Sequence, residues 1–156
     1  MTVGRPMADH SGVVIREYEP GDGEALRDLW GSSGFRLLGD DDDGLAVFTA
    51  RNPGLFLVAL AGAGPGEAAG GRIVASAMGA WDGHRGWIYH VATAESHRRA
   101  GIASALVVRI EGRLADLGAT RVNVLVQDDS DGGHEFWVTA GYKVAASRQY
   151  GKTLRD

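Results

Sequence analysis

Residues 97–118 read HRRAGIASALVVRIEGRLADLG, a stretch in which a short polar turn is followed by a regular apolar repeat. The apolar residues recur at the spacing of one helical face, at Ile102, Leu106, Ile110, Leu114 and Leu117. Gly118 then provides the residue type that most often ends a helix in the left-handed conformation. The pattern predicts an amphipathic helix over residues 101–117.

The turn in front of this helix has the features of an anion-binding site. The first N–H groups of a helix have no partner inside it, and the helix dipole adds partial positive charge at the same end. Gly101 lets an anion come close to these N–H groups, and Arg98 and Arg99 add full positive charges. The sequence contains no Walker loop and no dinucleotide-binding fingerprint. In the competing interpretation, Gly101 only opens the helix and both arginines lie in solvent.

The residues upstream of the turn predict an antiparallel meander. Residues 55–60, 72–81 and 87–93 are rich in strand-forming side chains. The glycine-rich stretch 61–71 separates the first two segments and is predicted to be a flexible hairpin loop. Asp82-Gly83 is a hairpin turn signal between the second and the third.

The rest of the chain completes a mixed pattern of helices and strands. The other predicted elements are a strand at 13–18, a helix capped by Asp22, a helix at 44–51, a strand at 121–127, a helix at 135–140 and strands at 142–147 and 149–154. Because the long helix crosses between the strands at 87–93 and 121–127, these two strands should run parallel. The predicted fold class is α+β, an α/β mixed sheet. We expect one domain over residues 13–156, after a disordered leader at residues 1–12.

The composition excludes several classes of function. The net charge of −4 argues against a nucleic-acid partner, which needs a concentrated basic surface. The absence of cysteine excludes disulfides, thiolate nucleophiles and cysteine-based metal sites. No apolar run approaches the length of a membrane span, so no membrane association is predicted and a cytoplasmic location is the default expectation. The five histidines lack ligand-type spacing, and no metal is predicted.

Four stretches resemble the GCN5-related N-acetyltransferase (GNAT) superfamily, and they follow one another along the chain in the order that the superfamily shows. Residues 98–103 (RRAGIA) are similar to its Q/R-x-x-G-x-G/A motif, and residues 136–142 (FWVTAGY) to its closing F-Y-x-x-x-G-F/Y. Residues 78–86 (MGAWDGHRG) and 151–154 (GKTL) resemble the YpeA-like bacterial subgroup more specifically. The resemblance extends from residue 13 to the end of the sequence.

The resemblance implies an acyl-CoA N-acyltransferase (GNAT) fold, a three-layer α/β/α arrangement with a splayed central sheet, and acetyl-CoA as cosubstrate. The residues expected to hold the pyrophosphate through backbone N–H groups are Arg98, Arg99, Ala100, Gly101, Ile102 and Ala103, with the Ser104 hydroxyl as a further donor. The pantetheine arm would pair as an added strand in a gap between residues 87–93 and 121–127. There Val91 and Thr93 would offer main-chain groups.

The implied reaction is the direct attack of a primary amine, on a small molecule or a protein, on the acetyl thioester. Many relatives have a tyrosine acid where this chain has Trp137, and an asparagine where it has Ser130. Both residues are still expected to contact the cofactor, although Trp137 has an alternative interpretation as an ordinary core aromatic. Indole N–H is scarcely acidic, so the usual general acid is missing.

The candidate catalytic residues are Tyr89 and His90, on the strand predicted at 87–93. Because side chains alternate along a strand, the two should point to opposite faces. Histidine is suited to moving protons near neutral pH, but His90 has a second interpretation as an ordinary buried histidine satisfied by a neighbour. His134 is a further candidate, and a water chain without a dedicated base is the remaining alternative.

Residues 40–43 are four consecutive aspartates with two interpretations. They either line the acceptor entrance, where they would attract an ammonium group, or form a solvated loop that caps the following helix. The loss of the tyrosine at Trp137 also favours a rival function, a non-catalytic acyl-CoA-binding sensor or interaction module. Homodimers are common among the resembling proteins, so a homodimer is one option for the assembly.

Overall fold

The computed structural model describes residues 12–62, 71–130 and 132–155. The strands are β1 (Val13–Glu17), β2 (Phe56–Ala61), β3 (Arg72–Trp81), β4 (Gly86–Thr93) and β5 (Val122–Val124). The helices are α1 (Gly23–Ser32), α2 (Asp42–Arg51), α3 (Ile102–Asp116) and α4 (Gly133–Thr139), and a short 3-10 helix lies at Glu95–His97. The predicted leader, apart from Gly12, and residues 63–70 of the predicted glycine-rich loop lie outside the described residues.

The chain divides into two compact units, the first ending at Leu125 and the second beginning at Val126. The first unit contains the sheet with α1, α2 and α3, and the second contains α4. That residues 13–156 form a single domain stays a prediction.

The strands of the first unit form one sheet in the order β1-β2-β3-β4-β5. Neighbouring strands pair antiparallel from β1 to β4, whereas β4 and β5 run parallel. A parallel pair needs a crossover connection, and α3 supplies it. The predicted meander, the parallel pair and the mixed sheet are confirmed.

Helices cover both faces of this sheet. Trp30 of α1 and Leu45 of α2 are buried in one cluster with Met78 of β3. The next residue, Gly79, faces the other way, because side chains alternate along a strand. A Cβ at Gly79 would come within 2.5 Å of Ile110 Cγ2 in α3. The absence of a side chain therefore lets α3 pack closely, and the first unit has the expected three layers.

Asp22 precedes α1 as predicted, but its side chain does not cap the helix. It accepts hydrogen bonds from Arg16 Nη1 at 2.7 Å, from Arg16 Nη2 at 3.0 Å and from the Glu19 N–H at 2.8 Å. Burial by itself would raise the pKa of Asp22, but the Arg16 and Glu19 hydrogen bonds outweigh burial and hold that pKa below its ordinary value. Asp22 therefore fixes the connection between β1 and α1.

The aspartates at 40–43 cap the following helix, as one of the two interpretations predicted, but they do not form one solvated loop. Asp41 is the N-cap of α2, and its Oδ1 accepts the Gly44 N–H at 2.7 Å. Asp42 begins the helix and accepts a hydrogen bond from Arg27 Nη1 at 2.8 Å. Helix α2 therefore begins at Asp42, earlier than the predicted residue 44, because carboxylates satisfy and complement the free N–H groups of a first turn.

The prediction of two closing strands at 142–147 and 149–154 is wrong. These residues have no regular structure, and Val144, Tyr150 and Leu154 are 85–90% exposed. A strand gains its stability from a hydrogen-bonded neighbour and from a buried face. The described residues of the second unit contain no strand that could supply either. The strand predicted at 121–127 is also shorter than expected, because only Val122–Val124 pair with β4.

Candidate active site

The turn before α3 contains two residues in the left-handed region, Arg99 with φ 65° and Gly101 with φ 76°. The Arg98 N–H donates at 3.4 Å to a carbonyl of the preceding 3-10 helix. Helical hydrogen bonding begins with Ala105, whose N–H donates to the Gly101 carbonyl at 3.1 Å. Between them, the N–H groups of residues 99–104 have no acceptor in the described part of the chain. Alternating backbone conformations of this kind direct successive N–H groups into an anion-binding concavity.

The side chains of this turn leave its N–H groups accessible. Ile102 is buried and anchors the start of α3, while Arg98 and Arg99 are exposed. Arg98 Nε donates to the Thr93 carbonyl at 3.3 Å, which holds the guanidinium at the end of β4. A Cβ at Gly101 would meet no atom within 4 Å, so space is open beside the turn. The remaining predicted contact residues are half-buried or exposed, namely Ala100, Ala103 and Ser104.

Strands β4 and β5 separate shortly after they meet. They pair at Gly86 with Val122, Trp87 with Asn123 and Ile88 with Val124, and the ladder ends there. Beyond Ile88, the β5-facing edge of β4, residues 89–93, has no partner strand among the residues that the structure describes. We call residues 89–93 the open edge. Val91 and Thr93 lie on it, and it leads directly to the turn before α3.

A β-bulge lies at the start of the open edge. In the ladder of β3 and β4, Ser76 is opposite Ala92 and Met78 is opposite Tyr89, so β4 contains one extra residue. His90, inside the bulge, has φ 49°, a conformation that residues other than glycine seldom adopt. A bulge bends its strand and increases the local twist. The bulge accordingly coincides with the point where β4 leaves β5.

A buried chain of hydrogen bonds holds this bulge. Trp30 Nε1 donates to Ser76 Oγ at 2.8 Å, and Ser76 Oγ donates to the His90 carbonyl at 2.8 Å. Trp30 and Ser76 are both fully buried. Because a buried polar group without a partner is costly, this chain stabilises the bulge in one conformation.

Tyr89 and His90 lie on the same face of β4, so their predicted opposite orientation is wrong. Tyr89 is directly opposite Met78, and opposed residues share a face of the sheet. Met78 belongs to the cluster that contains Trp30, and the His90 ring centroid lies 4.6 Å from that of Trp30. The extra residue shifts the alternation by one position, which a prediction from a regular strand does not include.

His90 is paired with Asp40, and the sequence analysis did not identify this contact. His90 Nε2 lies 3.1 Å from Asp40 Oδ2, with side-chain exposures of 19% and 9%. The ring also contacts Phe35, at a centroid distance of 5.2 Å. The two partners are 50 residues apart in sequence, so no local pattern signals the pair. The neighbour that satisfies His90 is thus a carboxylate beside the bulge.

Tyr89 is 37% exposed and lies next to Trp87, with ring centroids 6.4 Å apart. Burial raises the pKa of Tyr89 above its ordinary value, and the negative charge of Asp82 raises it further. The phenol therefore keeps its proton at neutral pH. It is an O–H donor on the same face of β4 as His90.

Comparison with known proteins identifies the family. Residues 23–142 match the Acetyltransferase (GNAT) family. The chain belongs to this family. It is 31% identical over 143 residues to an acetyltransferase of Pectobacterium atrosepticum, covering 91% of this chain and 96% of that protein. This GNAT protein is therefore an acyltransferase.

Solved structures agree with the GNAT fold. Ard1 from Thermoplasma volcanium matches with a TM-score of 0.73 and 21% identity, over 86% of this chain and 85% of that one. PaiA N-acetyltransferase from Thermoplasma acidophilum, solved in complex with coenzyme A, matches with a TM-score of 0.72 and 15% identity, over 87% and 92% of the two chains. At these identities the likeness concerns the fold.

Three predicted site residues of this GNAT protein lie in the second unit. The Ser130 N–H donates to the Gln127 carbonyl at 3.0 Å. Trp137 is half-buried, and its ring packs edge-on against those of Phe136 and Tyr142. His134 is exposed, with Nε2 2.9 Å from the Gln127 carbonyl. Their predicted roles toward the cofactor and the acceptor stay predictions.

Within the ranges that the structure describes, no group of three or more histidine, aspartate or glutamate side chains is arranged to hold a metal ion. No described helix combines the length and the apolar character needed to cross a bilayer.

Proposed function

We propose that this GNAT protein transfers the acetyl group of acetyl-CoA to a primary amine, and that the turn at residues 98–104 holds the pyrophosphate. The observation that carries the proposal is the run of N–H groups at 99–104 without acceptors beside an exposed pair of arginines. N–H groups that the protein itself does not use are available to an anion, and a diphosphate offers several anionic oxygens. The open space at Gly101 leaves room for it.

The open edge of β4 is the place where we propose that the pantetheine arm binds. An extended chain with amide groups can hydrogen-bond to a free strand edge in the manner of an added strand. Val91 and Thr93 would present main-chain groups from this edge. The Thr93 carbonyl already accepts one hydrogen bond from Arg98, and a carbonyl oxygen has a second lone pair. A diphosphate at the turn would thus lead the arm along the open edge toward the bulge.

The residues at the bulge support direct transfer. His90 would accept a proton from the acceptor amine, so that the neutral nitrogen attacks the thioester carbonyl as the C–N bond forms and the C–S bond breaks. Tyr89, which keeps its proton, would donate to the departing thiolate in place of the tyrosine that Trp137 replaces. Holding amine and thioester side by side would supply a large share of the rate. The acceptor is an amine of a small molecule or of a protein.

Thiol release from acetyl-CoA tests this proposal. The chain has no cysteine, so every thiol detected with a chromogenic reagent comes from the cosubstrate. Acetyl-CoA is mixed with the protein and with a panel of polyamines, amino acids, aminoglycosides and peptide N-termini. We expect release that depends on at least one amine and acetylated product by mass spectrometry.

The same assay separates the rival function. Coenzyme A binding in calorimetry, without thiol release above background for any amine, would instead support a non-catalytic acyl-CoA-binding sensor. The replacement of the usual tyrosine by Trp137 is the feature that favours that rival. Absence of coenzyme A binding would contradict both functions.

A further inference from the structure

We propose that Asp40 is a positioning residue that holds His90 as the tautomer with its proton on Nε2, which leaves Nδ1 as the atom that accepts the proton of the acceptor amine. This inference rests on the proposed function, because a proton acceptor at the bulge has a catalytic role only if an amine is acetylated. It extends that function by assigning a role to one of the four consecutive aspartates.

The hydrogen bonds around Asp40 determine the direction of its contact with His90. Asp40 Oδ2 accepts the Leu38 N–H at 3.1 Å and lies 3.1 Å from His90 Nε2. An ionised carboxylate can only accept hydrogen bonds, so Nε2 must be the donor. A neutral imidazole with its proton on Nε2 has its lone pair on Nδ1. For that Nδ1, the described residues contain no hydrogen-bond partner.

Asp40 is held independently of His90. Its carbonyl accepts a hydrogen bond from Arg27 Nη1 at 3.3 Å, and the same nitrogen donates to Asp42 Oδ1 at 2.8 Å. Asp41, the next residue, is tied to the start of α2 as its N-cap. The carboxylate therefore reaches His90 from a backbone that other contacts already fix.

The His90 ring and backbone are held as well. The ring lies against Trp30 and Phe35, and the His90 carbonyl accepts from Ser76 Oγ. His90 follows Ile88, the last residue of β4 that pairs with β5, by two positions and lies near the start of the open edge. His90 is therefore held in one orientation beside the edge that is proposed for the pantetheine arm.

Nitrogen NMR on the intact protein, labelled with 15N in its histidine rings, tests the tautomer directly. Protonated and bare imidazole nitrogens have well-separated chemical shifts, and His90→Gln assigns the His90 signals among the five histidines. At a pH where imidazole is neutral, we expect a bare Nδ1 and a protonated Nε2 for His90. A protonated Nδ1, or an even mixture of tautomers, would overturn the inference on the wild-type protein alone.

Kinetics of Asp40→Asn then test the consequence. An amide can donate as well as accept, so the preference for one tautomer should weaken. We expect kcat to fall about tenfold to a hundredfold, with KM for acetyl-CoA unchanged. Asp43→Asn is the control, because it removes one carboxylate charge three residues away, from the exposed first turn of α2, and should leave kcat unchanged.

The outcomes separate this inference from the proposed function. An active wild type whose Asp40→Asn variant keeps both its kcat and its tautomer would overturn the role of Asp40 and leave the acetyltransferase proposal intact. A wild type that releases no thiol with any amine would overturn the proposed function and, with it, the role of Nδ1 in proton transfer. In that case a protonated Nε2 would show only that His90 donates its hydrogen bond to Asp40, without a role in catalysis.

Discussion

Replacing Gly101 by glutamate or by glutamine provides a sharp test of the phosphate turn. The two side chains have nearly the same size and differ in charge. A Cβ at this position meets no atom within 4 Å, so neither variant should clash with the protein. Both must adopt φ 76°, which costs an L-residue about 1–2 kcal/mol. Their thermal midpoints should therefore fall together, by roughly 2–8 °C in a chain of this size.

The difference between the variants isolates the charge. Two like charges about 4 Å apart repel by about 4 kcal/mol at the effective dielectric constant of a protein surface. The turn is exposed, so solvent and salt should reduce this to about 1.5–3 kcal/mol. We therefore expect Gly101→Glu to bind coenzyme A about tenfold to a hundredfold more weakly than Gly101→Gln. The gap should narrow as ionic strength rises.

Isothermal titration calorimetry with coenzyme A, at low and at high salt, measures this difference. Adenosine and pantetheine, which both lack the pyrophosphate, would show whether the effect requires that group. Equal affinity of the two variants at low salt would refute the reasoning, because a carboxylate beside a bound diphosphate must weaken coenzyme A binding. Equal affinity of both variants and the wild type would place the cofactor elsewhere on the molecule.

Three other changes test the packing that supports the site, each by chemical denaturation. Gly79→Ala should destabilise the protein by about 1–3 kcal/mol, because its Cβ would lie 2.5 Å from Ile110 Cγ2. Ser76→Ala should cost about 1–3 kcal/mol, because it leaves a buried indole N–H and a bulge carbonyl without their partner. Asp22→Asn should destabilise the protein at neutral pH, and the difference from wild type should vanish in acid. Its pairing with Arg16 helps to hold the pKa of Asp22 in the folded protein below its pKa in the unfolded chain. The stability that Asp22 contributes is therefore fully present above the unfolded pKa and is lost as the pH falls through the folded pKa.

The elements that could be predicted from sequence are those whose partners are close in the chain or whose pattern is long. Strand β3 has the predicted bounds, and the 15-residue helix α3 differs from its prediction by one residue at each end. Both are long enough for periodicity to decide the type of structure. The unpaired N–H groups at residues 99–104 were also predictable, because they belong to the helix start itself and need no distant partner.

The parts that could not be predicted depend on distant partners. Residues 142–147 alternate in a way that suits a strand. A strand also needs a hydrogen-bonded neighbouring strand, and the sequence of the segment does not show whether one is present. The contact of Asp40 with His90 joins residues 50 apart and exists only after α2 and β4 are packed. The sequence of the tetra-aspartate run indicates a concentration of charge and a candidate helix cap, but not the contact with His90. Its members turned out to have three different local roles, in contact with His90, at the N-cap and with Arg27.

The bulge at His90 joins the two halves of the proposed site through a single extra residue. Because that residue shifts the alternation of β4, Tyr89 and His90 come to the same face, where a proton acceptor and a proton donor can serve one reaction. Because a bulge also bends its strand, β4 leaves β5 after Ile88 and exposes the edge that a pantetheine arm could pair with. A regular strand of the same composition would stay paired and would place the two side chains on opposite faces. The buried hydrogen bond from Trp30 to Ser76 therefore supports both the open edge and the proposed catalytic pair. A Ser76→Ala variant that still folds should accordingly lose kcat as well as stability.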